Sequence, residues 1–277
     1  MKFQKQLQGY MSINEIIVPE ARTLIETRMA SVASKHQIKI IYACESGSRA
    51  WGFPSPDSDY DVRFVYVHPW NWYLTLEEDR DVIDLPLEDS SAGLLDLGGW
   101  DLRKTLRLLR KSNPVIWEWL QSPVCYQAEQ TQHFRELRRV FDPFYSPIAA
   151  CHHYLSLCRN TMNQALNGPS VKIKKYFYML RPLLAASWIE RYHTIPPMEL
   201  ALLLQLLDDQ PEIKSCIVDL QERKQHIDEQ IPIARIAMID HFLTTELTRL
   251  QGSAKTLPTG NGDAANLDRL FQQCLGL

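Results

Sequence analysis

The sequence has little of what usually fixes a protein's class at first sight. It has no long hydrophobic run. The longest charge-free apolar stretches, Pro182–Ile189 and Leu200–Leu207, fall far short of the roughly 20 residues a membrane-spanning helix needs. Cysteine is sparse, at positions 44, 125, 151, 158, 216 and 274, with no Cys-x-x-Cys pair, which excludes a disulfide scaffold. The 11 glycines form no Walker loop and no dinucleotide-binding pattern, and no Ser-His-Asp signature appears. Charge of neither sign dominates: 30 Lys+Arg against 33 Asp+Glu leave a net −3, with no global mark of nucleic-acid binding. Met1–Tyr10 is polar and lacks the apolar core of a signal peptide. These absences lead us to expect a soluble, cytoplasmic protein with reduced thiols and no membrane partner.

What is present suits a folded protein. A composition 45% hydrophobic and 23% charged excludes disorder over most of the length, and 277 residues suggest two domains. The first region, residues 1–112, mixes strand-like runs with turn-rich loops. A helix is expected from Pro19 to about His36, with Pro suited to its first turn. Strands are expected over 38–44, 59–67, 82–87 and 94–97, and a helix from Trp100 or Asp101. The second region, 113–251, is helical by pattern and punctuated by prolines. The third, 252–277, reads as a flexible linker followed by a short amphipathic helix over 267–275.

The chemistry concentrates between residues 43 and 63. A strand ends in Gly47-Ser48, and after a loop a second strand opens with Asp59-Tyr60-Asp61. Strand alternation puts Asp59 and Asp61 on one face, where two carboxylates repel unless a hard cation such as Mg²⁺ lies between them. Gly47 permits close backbone approach to a ligand, and the Ser48 hydroxyl can hold a phosphate oxygen. Together these parts describe a metal–triphosphate site. Two-metal displacement usually takes a third carboxylate from a neighbouring strand. The candidates are Asp84, Asp96 and Asp101; Asp96, at the end of Leu94–Leu97 and before Gly98-Gly99, is the first choice.

Gly47-Ser48 followed by Asp59-x-Asp61 resembles the signature of polymerase-beta-type nucleotidyltransferases. The fuller strings Glu45–Gly52 and Ser58–Arg63, with Gly99–Lys104, Ser112-Asn113-Pro114, Lys174–Tyr178 and Leu180-Arg181-Pro182, resemble a narrower group, the RNA-repair-pathway DNA polymerase beta family (RlaP), over roughly residues 38 to 250. The resemblance implies an α/β (α+β) nucleotidyltransferase core with a small mixed sheet, followed by a helical domain that binds nucleotide or acceptor. It implies Asp59, Asp61 and Asp96 as catalytic metal ligands, Asp96 also serving as base. Two Mg²⁺ ions are implied as cofactor, with Mn²⁺ as an alternative, and an NTP as substrate. It also places Gly47, Ser48 and Arg49 at the nucleotide. Arg63, where the wider superfamily commonly has an apolar residue, shares the face of Asp59 and Asp61, where it pairs with a carboxylate or contacts a phosphate.

Further along, Lys174, Tyr178 and Arg181 fall at i, i+4 and i+7 on one helical face, with Lys175 beside them. They are the candidate nucleotide-binding cations of the second domain, although Pro182 threatens to kink or divide their helix. Arg103, Arg107, Arg110 and Lys111 form a basic helical face, by default solvated; because the helix directly follows the third carboxylate, it is expected near the site, where it could line an acceptor groove. Arg135, Arg138 and Arg139 are read as incidental. Cys151, His152, His153 and Cys158 mimic a zinc set, but the two cysteines sit two helical turns apart, about 10 Å along the axis, too far for one zinc. Trp117 and Trp119 read as packing residues. The expected activity is transfer of an NMP from an NTP to an RNA 3′ end, tRNA among the candidates, with release of pyrophosphate. The alternatives are AMP transfer to a protein hydroxyl and a non-catalytic nucleotide-binding module.

Overall fold

The computed structural model describes residues 17–55, 57–127, 138–226 and 231–277. Helix α1 (Pro19–His36) starts on its proline and ends at Gln37 in the left-handed conformation. Strand β1 (Lys39–Glu45) leads into a single-turn helix α2 (Gly47–Ala50). Then come β2 (Tyr60–Val67), β3 (Val82–Asp84), β4 (Glu88–Ser90) and β5 (Gly93–Asp101). β1 pairs antiparallel with β2, and β2 pairs parallel with β5. The other edge of β5 carries β3 and β4, both antiparallel. The sheet is therefore mixed, as expected, and its central parallel pair is the one that matters for the site.

The composition of β2 explains how one strand serves both a core and a site. Tyr60, Val62, Phe64 and Tyr66 are buried on one face, beneath Ile25, Met29 and Val32 of α1. The opposite face opens with Asp61 and Arg63 and turns apolar at Val65 and Val67. Those two join a second core with α3 (Leu102–Arg110) and α4 (Pro114–Gln121). A polar end and a greasy end thus share one strand face. Asp101 is the buried N-cap of α3, accepting the Arg103 N–H at 2.7 Å, and Trp100 and Asp101 lie in β5 rather than in the helix.

The expected boundary at residue 112 falls inside this unit. Leu120 of α4 joins the second core, and 124–126 run along the free edge of β1, where Glu45 N–H donates to Val124 O and Tyr126 N–H to Ala43 O, both at 3.0 Å. After α5 (Arg138–Phe141) comes the helical unit: α6 (Pro147–Ala165), α7 (Ile173–Tyr192), α8 (Leu200–Leu203), α9 (Pro211–His226) and α10 (Ala237–Ser253). A two-stranded ribbon that the helical pattern hid, β6 (Ser170–Lys172) with β7 (Pro232–Ala234), ties the start of α7 to the segment before α10. α7 runs unbroken through Pro182; the missing N–H is the one that would have reached Tyr178, an exposed residue. The stretch read as a linker is held to the fold: Ile148 N–H donates to Pro258 O and Asn261 N–H to Pro143 O. Gly260 and Gly262 press against the backbone and ring of Phe144. α11 (Ala264–Leu275) docks through Leu267 and Leu270 on the core of α3 and α4.

β5 carries two adjacent glycines that behave differently. A Cβ on Gly99 would lie 2.1 Å from the Phe64 ring on its paired strand, whereas one on Gly98 would meet only Arg63 side-chain atoms at 3.7 Å. Gly99→Ala should therefore cost about 1–3 kcal/mol by overpacking, and Gly98→Ala should stay within about 0.5 kcal/mol of wild type. Urea unfolding of both variants checks this contrast.

Candidate active site

The parallel pairing of β2 and β5 sets Asp61 directly opposite Asp96. Paired residues on neighbouring strands project to the same face, so the two carboxylates are side-by-side neighbours. Between them lies Arg63. Its Nη2 donates to Asp96 Oδ2 at 2.7 Å and to Asp61 Oδ1 at 3.4 Å, while Nη1 reaches the backbone oxygens of Asp96 at 2.9 Å and Val62 at 3.0 Å. Arg63 is thus the ion-pair partner of the carboxylates. Burial alone would lower its pKa, but the Asp96 hydrogen bond and the charges of Asp96 and Asp61 raise it, so it stays cationic. Asp59 precedes β2 on the same alternation, half-buried.

The other third-carboxylate candidates are placed differently. Asp84 sits opposite Gly98 on the far edge of β5, one strand further from Asp61, and is exposed. Asp101 is committed to its cap and to the Tyr73 hydroxyl at 2.7 Å. Of the three, Asp96 alone stands against Asp61.

Above the strand ends, the Gly47 turn closes over Asp61. Gly47 has φ 62°, and a Cβ there would fall 2.0 Å from Asp61 Oδ2. Both the conformation and the contact demand glycine. Ser48 Oγ lies 3.0 Å from Ser58 Oγ. Arg49, expected at the nucleotide, turns inward: Nε donates to Asp59 O at 3.1 Å, Nη2 to Ser58 O at 2.8 Å, and the guanidinium lies 4.0 Å over the Tyr60 ring. It holds the backbone that presents Asp59.

Beneath the site lies a residue the sequence reading passed over. Glu45 is fully buried; its Oε1 accepts the Asp61 N–H at 2.8 Å, its Oε2 accepts the Tyr126 hydroxyl, and its own carbonyl accepts Ser122 Oγ–H at 2.6 Å. Burial is the main force on this carboxyl and pushes its pKa up to about 8, so it is largely protonated at neutral pH. A glutamate closing a strand whose interior, Ile40–Cys44, is apolar was the available signal.

Helix α7 does reach the Gly47 turn, through Trp51. That ring lies between the Arg181 guanidinium at 4.7 Å and the Tyr178 ring, met edge-on at 5.8 Å. Arg181 itself is buried, donating to Glu118 Oε1 at 2.9 Å and Met198 O at 3.1 Å. Its expected role as a direct phosphate clamp gives way to that of an internal strut under Trp51. Lys174 and Lys175 are half-buried at the start of α7, and Tyr178 is exposed with Lys175 Nζ 5.6 Å from its ring.

The basic face of α3 lies at the wrong end of β5. Asp101 lies five strand rises beyond Asp96, about 16 Å. There Arg103 and Arg107 pair with Glu78, and Lys104 with Asp81. Trp117 and Trp119 are buried packing residues, as are Cys151 and Cys158, and no metal-holding His/Cys/Asp/Glu group is found among the described residues. Arg135 and the side chains of Arg138 and Arg139 lie outside them. No helix among the described residues is long and apolar enough to cross a membrane.

The Glu45 arrangement yields a test. Glu45→Gln keeps an acceptor for the Asp61 N–H and the neutral charge of the protonated acid, so it should cost less than about 1 kcal/mol. Glu45→Leu strands the Asp61 N–H and the Tyr126 hydroxyl, at about 1–3 kcal/mol for each buried group left unpaired. Urea unfolding at pH 7 measures both.

Residues 21–273 match the family described as the RNA repair pathway DNA polymerase beta family, RlaP. The Bacillus subtilis (strain 168) protein named "Uncharacterized protein YcgL" is 46% identical over 241 residues, which are 87% of this chain and 91% of that one. A crystal structure of a nucleotidyltransferase-like protein from Exiguobacterium sibiricum 255-15 aligns over 84% of this chain and 75% of its own. Its 13% identity and TM-score of 0.32 make that likeness too slight to add to the family match. The chain belongs to the RNA repair pathway DNA polymerase beta family, and so to the polymerase-beta-type nucleotidyltransferases.

Proposed function

We propose that the protein is a Mg²⁺-dependent enzyme that transfers a nucleoside monophosphate from an NTP to an RNA 3′ hydroxyl, releasing pyrophosphate. The observation that carries this reading is the Asp61–Asp96 pair, set in register on adjacent parallel strands beneath a Gly47-Ser48 turn whose positive φ and close approach to Asp61 favour glycine. RNA as acceptor is supported by the family's description alone.

The three aspartates are not drawn together into a metal-holding group in this arrangement, yet the chemistry of their donors suits a hard divalent cation. Asp59, Asp61 and Asp96 offer carboxylate oxygens, and a positive group, the Arg63 guanidinium, already lies between two of them. Asp59, Asp61 and Asp96 would hold Mg²⁺, which when bound neutralises the polyphosphate and acidifies the attacking hydroxyl. In the transfer, the hydroxyl oxygen forms a bond to the α-phosphorus as the bond from that phosphorus to the pyrophosphate oxygen breaks. Asp96 accepts the hydroxyl proton at Oδ1, since Oδ2 faces Arg63. Ser48 and the Gly47 turn receive the phosphates. Arg49 keeps the Asp59 backbone in place, and Lys174 and Lys175 supply positive charge from the α7 side. Arg63 holds the Asp96 rotamer and offsets the carboxylate repulsion before metal arrives.

The test incubates the protein with each α-³²P-NTP, Mg²⁺ and either an RNA pool or candidate proteins. Label on RNA is expected, and Asp59→Ala, Asp61→Ala and Asp96→Ala should each reduce it by roughly a hundredfold or more. Asp96→Ala should retain part of its nucleotide binding. Label on protein alone would move the acceptor to a protein hydroxyl. Absence of transfer with nucleotide still bound would leave a binding module, and unaffected transfer in the variants would remove the carboxylates from the mechanism.

A further inference from the structure

Helix α9 buries Ile213, Ile217, Leu220 and Lys224 at the i, i+4, i+7, i+11 positions of a single stripe. The fourth member is a lysine only 2% exposed. An ammonium taken out of water is expensive, and an apolar side chain there would serve packing better. Lys224 does not end among the helices. It crosses to the loop between the Gly47 turn and Asp59, where Nζ donates to Ser55 Oγ at 3.0 Å and to Phe53 O at 3.4 Å and lies 5.5 Å from the Phe53 ring.

From Ser55 the contacts run on toward the site. Ser55 Oγ lies 2.9 Å from Ser58 Oγ, with either hydroxyl able to donate, and Ser58 Oγ also accepts the Ser55 N–H at 2.8 Å. Ser48 Oγ stands 3.0 Å beyond, donating to Ser58 Oγ. Ser55 and Ser58 are both buried. Each is a hydroxyl with one donor and two acceptor sites, whereas an ammonium can only donate. Lys224 therefore fills one acceptor site on Ser55 and leaves the Ser55 hydroxyl hydrogen to point onward.

We propose that Lys224 is a positioning residue for nucleotide binding, acting through the Ser55–Ser58–Ser48 hydroxyl chain to deliver the Ser48 hydroxyl as a donor to a phosphate oxygen. A phosphate oxygen is an acceptor, so Ser48 must turn its hydrogen away from Ser58 to bind it. Ser58 then donates to Ser48, Ser55 to Ser58 and Lys224 to Ser55. Each hydroxyl oxygen on the path then accepts at least one hydrogen bond and donates one, and no heavy atom has to move. The ammonium at the head of the chain favours this direction because each bond polarises the next. The helical unit thereby sets the donor strength of the turn in the sheet unit. This inference rests on the reading of Ser48 as a phosphate ligand.

The experiment measures equilibrium binding of Mg²⁺-ATP, -GTP, -CTP and -UTP to the full chain, taking the tightest for comparison. Lys224→Met and Ser55→Ala should each raise its Kd by roughly tenfold or more. The double variant should bind no more weakly than the weaker single, because both cut one chain. Near-UV circular dichroism and thermal melting report the fold separately, and Ser55→Ala decides the matter if Lys224→Met does not fold. Melting shifts with unchanged Kd would reduce Lys224 to a packing residue and overturn the proposal. Additive losses, or a loss in Lys224→Met that Ser55→Ala does not share, would overturn the hydroxyl chain. Wild-type protein that binds none of the four would sink the nucleotide site itself, and this inference with it.

Discussion

Two negative charges on adjacent strands are the constraint around which this molecule is organised. Parallel pairing of β2 and β5 leaves Asp61 and Asp96 side by side, where like charges raise each other's energy. The fold answers from several sides. Arg63, two residues along the same strand face, reaches back between them. Glu45 beneath is held largely in its neutral form by burial, so it receives the Asp61 N–H without adding a full third charge. Gly47 closes over Asp61 with no side chain to push it aside. Such an arrangement is poorly suited to stability, and under the proposed function it is where a divalent cation would be held.

The labour is divided between the two parts of the chain. The sheet supplies carboxylates on a rigid parallel pair whose far end is ordinary core, Val65 and Val67 beneath α3 and α4. The loop between the Gly47 turn and Asp59 belongs energetically to the helices. Phe53 is a fully buried member of their core and packs 4.7 Å from Phe177. Trp51 is gripped by Arg181 and Tyr178, and its carbonyl accepts the Leu200 N–H at 3.0 Å. The turn proposed to receive phosphates is thereby held from outside its own sheet, which limits how far it can drift from the carboxylates.

Much of this could be read from the sequence because strand alternation is a strong local rule. Asp59, Asp61 and Arg63 had to share a face, and the short apolar run ending at Asp96 marked a neighbouring strand. What escaped was set by tertiary contact. Helical spacing put Lys174, Tyr178 and Arg181 on one face but could not tell that Glu118 and Trp51 wait beneath Arg181 and draw it inward. Arg49 sits within the motif, yet its guanidinium serves the backbone at Ser58 and Asp59. The basic run on α3 suggested a groove only until strand length carried it to the opposite end of β5. β6 and β7, three residues each, are too short to show a period. Glu45 and Lys224 did leave a trace: each is a charge on an otherwise apolar stripe, which is informative only once the stripe's burial is known.

The central claim is that the Arg63-bridged carboxylates are where a metal-bound nucleotide is seated. The most direct measurement is a crystal structure of the protein with Mg²⁺ and a non-hydrolysable NTP. The account predicts divalent metal at Asp59, Asp61 and Asp96, phosphate oxygens within hydrogen-bond reach of Ser48 Oγ, and the Arg63–Asp61 contact opened. Nucleotide bound elsewhere, or metal absent while Arg63 still spans Asp61 and Asp96, would contradict it.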